Sequence, residues 1–115
     1  MGSIFDVARS GLAASAVRLA ASAHNVANAL TPGFRPVAVA TEERLEGGVE
    51  ARIVPNDPQV ESRLDAAALG YGAASGTDLA TELVSQMAAS ASYRSSLASL
   101  RTADELGAAL LSVRG

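Results

Sequence analysis

The chain has 115 residues and a net charge of −3, with nine arginines, no lysine and no cysteine. This length favours one domain, and the lack of cysteine excludes disulfide and thiol chemistry. No basic residues cluster, so the sequence lacks the electrostatic footprint of a nucleic-acid-binding protein. The apolar fraction is 49%, and alanine is its largest component, at nearly half. Since burial yields about 25 cal/mol per Å², an alanine core predicts a marginally stable monomer.

The N-terminal stretch lacks a positively charged start, and Asp6, Arg9 and Arg18 interrupt any apolar run. It is therefore not expected to act as a cleaved signal peptide. No stretch reaches the roughly 20 apolar residues that span a bilayer. The chain is predicted not to be membrane-spanning.

Residues 3–29 predict the first helix. Ser3 is a suitable N-cap, and Asp6 places a negative charge in the first turn, where the helix dipole favours it. Large apolar residues recur every seven positions at Phe5, Leu12, Leu19 and Val26. The adjoining positions are small, at Ala8, Ser15, Ser22 and Ala29. This alternation predicts a shallow stripe that another helix can approach closely.

The segment 31–76 differs in kind from what precedes it, since all four prolines lie within it. Thr31-Pro32-Gly33 is a strong helix breaker, and Phe34 is expected to be an apolar anchor. Residues 37–41 and 49–54 predict two short strands, joined through Gly47-Gly48 as a hairpin. Residues 55–63 predict a loop, and residues 64–69 a short helical turn. An isolated hairpin is barely stable in water, so it must lie on the helices or on a neighbouring subunit.

Residues 76–115 contain no proline and predict one long helix, with Thr77 or Asp78 as its N-cap. One heptad column holds Leu79, Tyr93 and Leu100. The adjacent column holds Leu83, Leu97 and Leu111. A second stripe lies beside them near the end, at Leu106, Leu110 and Val113. A helix that is apolar on two sides needs more than one neighbour, and one chain supplies only the first.

The predicted fold is mainly α. The long N- and C-terminal helices pair as an antiparallel coiled-coil-like hairpin, with a short β-hairpin and loop insert between them. Residues 1–30 plus 77–115 are expected to form the terminal-helix core, and residues 31–76 the insert.

No catalytic, cofactor-binding or metal site is predicted. His24 is the only histidine, and no acidic partner lies within a helical turn of it. No nucleophile elbow or phosphate loop is present. Four acids near the hairpin predict a solvated face: Glu42, Glu43, Glu46 and Glu50. Asp104-Glu105 lies late in a helix, against the dipole preference, which predicts a pair with Arg101 or with an arginine of a neighbouring subunit.

Two asparagines, Asn25 and Asn28, precede the Thr-Pro-Gly-Phe turn. Their side chains can satisfy carbonyls at the helix end or bond to an adjacent chain. The full stretch reads Asn25-Val26-Ala27-Asn28-Ala29-Leu30-Thr31-Pro32-Gly33-Phe34. It resembles the N-terminal signature of the bacterial flagellar axial proteins of the rod and hook. In these proteins an Asn-Ala-x-Thr-Pro-Gly-Phe/Tyr stretch follows a helix of small residues.

The C-terminal signature of that family is also similar to this chain. The matching residues are Asp78-Leu79-Ala80-Thr81-Glu82-Leu83-Val84, then Tyr93, then Thr102-Ala103-Asp104-Glu105-Leu106. The short insert looks most like the small proximal-rod type of basal-body protein. His24 departs from the pattern, since the family usually has asparagine there.

The resemblance implies a structural subunit of the flagellar basal-body rod, which crosses the periplasm. Such subunits polymerise through their terminal helices into a hollow, torque-transmitting axial tube. They are exported unfolded by the flagellar type III apparatus, without a cleaved signal peptide. The implied partners are copies of the chain and other flagellar rod proteins. The two heptad columns and the Phe5 stripe then become predicted subunit-interface residues.

Two alternative functions place different demands on the sequence. A non-polymerising helical-hairpin adaptor or export chaperone of the flagellar system would require a stable monomer or dimer, which the alanine-rich core disfavours. An enzyme would require a convergent polar constellation, which the sequence does not show.

Overall fold

The computed structural model describes residues 3–55 and 75–115. Helix α1 spans Ile4–Ala27, strand β1 Val37–Glu43, strand β2 Val49–Pro55 and helix α2 Leu79–Val113. The two long helices pack together, and a two-stranded antiparallel hairpin lies between them in the chain. The predicted fold class is therefore confirmed. The predicted loop at 55–63, apart from Pro55, and the helical turn at 64–69 lie outside the described residues.

Helix α1 begins as predicted. The Ser3 hydroxyl accepts a hydrogen bond from the Asp6 N–H, while the Asp6 carboxylate accepts one from the Ser3 N–H, so the two residues form a capping box. The helix ends at Ala27, two residues before the predicted end, because Asn28 takes the C-cap position. Gly33 in the following turn has a φ of 72°, a conformation that disfavours other residues.

The hairpin pairs Val37 with Pro55 and Glu43 with Val49. Each strand is slightly longer than predicted. Gly47 and Gly48 both have positive φ, at 95° and 91°, so the predicted turn is confirmed.

The hairpin packs on α1. The Ser10 hydroxyl accepts a hydrogen bond from the Val49 N–H at 3.1 Å, and the Arg18 guanidinium donates one to the Thr41 hydroxyl at 3.0 Å. An isolated hairpin is marginal in water, so α1 supplies the surface that the hairpin requires.

Helix α2 starts after Asp78, whose carboxylate accepts hydrogen bonds from the N–H groups of Ala80 and Thr81. Of the two predicted N-caps, Asp78 is therefore the one used. The helix has 35 residues and is about 52 Å long at about 1.5 Å per residue.

The two helices run antiparallel. Asn25 bonds to Glu82 near one end of the pair, and Gly11 lies against Ser96 further along. A Cβ atom at Gly11 would lie 2.7 Å from the Ser96 hydroxyl oxygen, so the backbones approach closely. By this register the first residue of α1 comes level with about Ala103.

The contact between the helices consists of small side chains. The buried residues are Ala8, Ala14, Ser15, Ala21, Ser22 and Asn25 on α1, with Ala89 and Ala103 on α2. The predicted close packing of α1 at Ala8, Ser15 and Ser22 agrees with this contact. On α2 the column that faces α1 is Ala89, Ser96 and Ala103, of which Ala89 and Ala103 are buried and Ser96 is half-buried. The leucine and tyrosine columns predicted from the sequence flank this column. Only alanine and serine fit where the backbones lie this close.

Candidate assembly surface and the junction between the two motifs

Asn25 is 2% exposed and uses its whole side-chain amide. Its Oδ1 accepts from the Val37 N–H and its Nδ2 donates to the Val37 carbonyl, both at 2.8 Å. The same Nδ2 donates to Glu82 Oε1 at 2.8 Å. The amide thus donates to and accepts from the backbone of Val37 in β1, as a residue of a neighbouring strand does. It also links α1 to α2 through Glu82.

Glu82 and Thr77 make two further hydrogen bonds to α1. The Ser22 hydroxyl donates to the Glu82 carbonyl at 3.1 Å, and the Thr77 hydroxyl donates to the Asn25 carbonyl at 3.2 Å. We call the group formed by Ser22, Asn25, Val37, Thr77 and Glu82 the junction. It brings the N-terminal motif and the start of the C-terminal motif together.

Asn28 acts differently from Asn25. Its Nδ2 donates to the His24 carbonyl at 3.0 Å, and its Oδ1 accepts from the Thr31 hydroxyl at 3.2 Å. It therefore bonds to a carbonyl at the helix end, which also accepts a hydrogen bond from the Asn28 N–H at 3.2 Å.

Phe34 lies edge-on to the His24 ring, with centroids 5.4 Å apart, and its carbonyl accepts from the Gly76 N–H at 3.0 Å. The turn from Thr31 to Phe34 is thereby held against α1 on one side and against the approach to α2 on the other.

The late part of the C-terminal motif lies far from the junction. The Thr102 hydroxyl bonds to the Ala98 carbonyl one turn earlier, and Asp104 and Glu105 are exposed. The expected pair with Arg101 is absent, since Arg52 with Glu42 is the one ion pair in residues 3–55 and 75–115. The other predicted partner, an arginine of a neighbouring subunit, is not tested.

Large apolar side chains lie mostly on the outside. Of the predicted subunit-interface residues, seven are exposed: Phe5, Leu19, Val26, Leu79, Leu83, Tyr93 and Leu111. Leu12, Leu97 and Leu100 are half-buried beside the contact between the helices. No large side chain of the described residues is fully buried.

A shallow groove of about 460 Å³ runs between the helices close to the junction. Its apolar walls are Leu19, Leu83 and Met87, and Gln86, Ser90 and Arg94 lie along its length. We call this feature the groove.

At the opposite end, α2 continues past the start of α1. Residues 104–113, which we call the overhang, are exposed apart from the half-buried Gly107. They carry Leu106, Leu110, Leu111 and Val113, between 61% and 85% exposed. The column Ala89, Ser96 and Ala103, which faces α1, reaches Leu110 one heptad later.

The N-terminal part of the chain matches a known family. Residues 5–35 match the model of a family described as flagella basal body rod protein. This match confirms the resemblance to the flagellar rod family. It covers α1 and the turn through Phe34, including both asparagines. No curated protein matches the chain significantly.

The rod family supports a structural role in the basal body, alongside other rod proteins. It is a family of structural proteins rather than of enzymes. Within residues 3–55 and 75–115, no three His, Asp or Glu residues stand close enough together to hold a metal ion. Neither α1 nor α2 contains an apolar run long enough to cross a membrane.

Sequence reasoning singled out Asn25 and Glu82 as motif residues but did not pair them. It also gave no role to Ser22 in the junction, nor to Gly11 and Ser96 at the closest approach of the helices. A heptad count that included small residues would have found the Ala89, Ser96 and Ala103 column. The hydrogen-bond partners of Asn25 are distant in sequence and are brought together only when the chain folds back. No pattern of neighbouring residues predicts them.

Proposed function

We propose that the chain is a subunit of the flagellar rod that polymerises through α1 and α2 into a hollow, torque-transmitting axial tube. Residues 1–30 plus 77–115 form the polymerising core, and residues 31–76 form an insert carried on it. Its partners are copies of itself and other flagellar rod proteins.

One observation carries this proposal: the usual distribution of side-chain sizes is inverted. Alanine and serine fill the contact within the chain, while seventeen large apolar side chains of the described residues are exposed. Extended exposed apolar surfaces mark interaction sites in soluble proteins. The predicted interface residues contribute seven of the seventeen.

Small residues within the chain also suit this role mechanically. Alanine and serine let α1 and α2 approach closely, so the pair forms a thin, stiff unit with apolar side chains pointing to neighbours. A contact between different surfaces of successive copies does not close on itself and builds a filament. Torque is then shared among many such contacts.

Passage through the type III export apparatus, without a cleaved signal peptide, fits the same features. A chain that threads a narrow channel must unfold first. A core of alanine and serine buries little apolar area and so resists unfolding weakly. Order is gained when the large side chains are buried by neighbours.

The proposal is tested by placing a charge on the exposed face. Leu83 is 59% exposed and belongs to the predicted interface, whereas Leu45 is fully exposed on the hairpin turn and does not. We expect Leu83→Asp to abolish assembly in sedimentation velocity and Leu45→Asp to leave it intact. At concentrations too low for assembly, circular dichroism should give both variants the helicity of the wild-type monomer. Assembly of Leu83→Asp at wild-type concentrations would contradict the interface. A wild-type chain that stays a stable monomer or dimer would favour the adaptor.

A further inference from the structure

The overhang is a part of α2 that has no packing partner within residues 3–55 and 75–115. The buried column of α2 ends at Ala103, and the next position of that column is Leu110. Leu106 and Val113 flank it on one side and Leu111 on the other, all exposed. The face that packs on α1 with small residues thus continues, with large apolar ones, beyond the reach of α1.

The groove at the other end offers a fitting surface. It is lined by Leu19, Leu83 and Met87, which are exposed at 44%, 59% and 66%. From Leu83 to Arg94 it extends about 17 Å along α2, and the overhang is about 15 Å long at about 1.5 Å per residue. The overhang and the groove are therefore similar in length, and both expose large apolar side chains.

We infer that the overhang of one copy lies lengthwise in the groove of the next copy, head to tail. This inference rests on the proposed function and names the surfaces that the axial contact uses. Leu110 lies 23 residues beyond Met87, about 35 Å along the helix. A second copy displaced by about this distance in the same orientation places Leu110 over Met87, Leu106 over Leu83 and Val113 over Ser90.

The charge at the inner end of the groove agrees with this orientation. In the parallel arrangement, the C-terminal turn of the overhang points toward Arg94 of the next copy. The last carbonyls of a helix lack partners within it and carry a partial negative charge. The last turn of α2 contains no basic residue, and Arg114 follows it as the C-cap. Arg94 makes no ion pair in the part of the chain that the structure describes.

Cross-linking between single-cysteine variants tests the contact directly, because the chain has no native cysteine. Leu110→Cys and Met87→Cys are prepared separately, mixed under assembly conditions and treated with a short bismaleimide. We expect a cross-linked dimer in the mixture and in neither variant alone. The control is Leu110→Cys mixed with Leu45→Cys, which is more accessible than Met87 and lies outside the groove. It should yield no cross-linked dimer.

Each other pattern overturns the inference. Cross-linking of Leu110→Cys alone would show that two overhangs pair symmetrically, and cross-linking of Met87→Cys alone that two grooves do. No cross-link above the Leu45→Cys control would place the overhang elsewhere. Circular dichroism verifies that the variants keep wild-type helicity. Sedimentation of the wild-type chain in the same buffer tests the proposed function separately. If large species form but the Leu110–Met87 cross-link does not, polymerisation is supported and this particular contact is excluded.

A charge variant provides a second test that does not alter the apolar surfaces. Arg94→Gln should weaken assembly about two- to fivefold, the range expected for a cation at a helix C-terminus. Arg101→Gln is the matched control, since Arg101 lies seven residues further along the same face and outside the groove. Equal effects of the two variants would exclude Arg94 from the contact.

Discussion

At the scale of single residues, the Asn25 side chain makes three hydrogen bonds to two other elements. Its amide joins α1 to β1 through Val37 and to α2 through Glu82, while being 2% exposed. A buried hydrogen-bonding group that loses its partner costs the full desolvation penalty of that group. This side chain therefore helps to fix the relative position of the two terminal motifs, together with the Ser22 and Thr77 hydroxyls.

We expect Asn25→Ala to lower the free energy of unfolding by about 1–3 kcal/mol. Asn25→Asp should cost more at neutral pH, because it removes both amide donors and sets a carboxylate against Glu82. Adding Glu82→Gln to Asn25→Asp should recover part of the loss. Urea titration at low protein concentration measures all three variants. Asn28→Ala is the control and should cost less, since Asn28 is only half-buried. If Asn28→Ala lowered the free energy of unfolding as much as Asn25→Ala, the junction would contribute no more to stability than the helix end does.

Two exposed carboxylates make the helices sensitive to acid. The Ser3 hydroxyl and then the Ser3 N–H lower the pKa of Asp6. The Thr81 hydroxyl, followed by the N–H groups of Thr81 and Ala80, lowers the pKa of Asp78. A lowered pKa stabilises the folded chain above the unfolded value of about 3.9. That contribution is lost as the pH falls through the lowered folded value.

We therefore expect the thermal midpoint to hold from pH 7 down to about pH 5 and to drop below about pH 4. Asp78→Asn should reduce the drop, because asparagine caps a helix as well as aspartate does and does not titrate. Asp104→Asn, which caps no helix, serves as control. Thermal melts followed by circular dichroism at pH 7 and pH 3 measure this. An unchanged drop in Asp78→Asn would show that acid acts elsewhere.

At the scale of elements, two glycines within helices allow the effect of helix propensity on stability to be distinguished from the effect of packing between the helices. Gly11 faces α2, where an added Cβ would meet the Ser96 hydroxyl, while a Cβ at Gly107 would meet nothing within 4 Å. Gly107→Ala should stabilise by about 1 kcal/mol, the difference in helix propensity. Gly11→Ala should gain less than that, and should gain more when Ser96→Ala is also present.

A double-mutant cycle over Gly11→Ala and Ser96→Ala, measured by urea unfolding, gives this coupling. Equal gains for Gly11→Ala and Gly107→Ala, with no coupling to Ser96, would show that the helices are further apart than the structure places them.

Elements were predictable from sequence where the signal is local. Ser3 and Asp78 cap helices through their own neighbours, and Gly47-Gly48 turns the hairpin through its own backbone freedom. The face by which α2 meets α1 was not predictable from apolar residues. Alanine and serine carry little hydrophobic weight, so the leucine columns dominated the pattern, although they flank the contact. The Asn25–Glu82 pair joins residues 57 positions apart, which only the folded chain brings together.

At the scale of the whole molecule, most of the large apolar side chains of the described residues are exposed to solvent. The described core contains alanine, serine and one asparagine, so one copy alone gains little from burial at about 25 cal/mol per Å². In the proposed assembly, neighbours that cover the exposed leucines and tyrosine add the larger part of the burial. Stability should therefore depend on concentration, as it does for chains whose folding is coupled to association.

Circular dichroism and light scattering, recorded on the same wild-type samples across a wide concentration range, test this claim most directly. The account predicts weak helicity and an early thermal transition at low concentration. Both should rise as light scattering detects larger species, and the rise should be absent in Leu83→Asp. A fully helical monomer whose cooperative melt is independent of concentration would contradict the account, because its order would then come from the single chain.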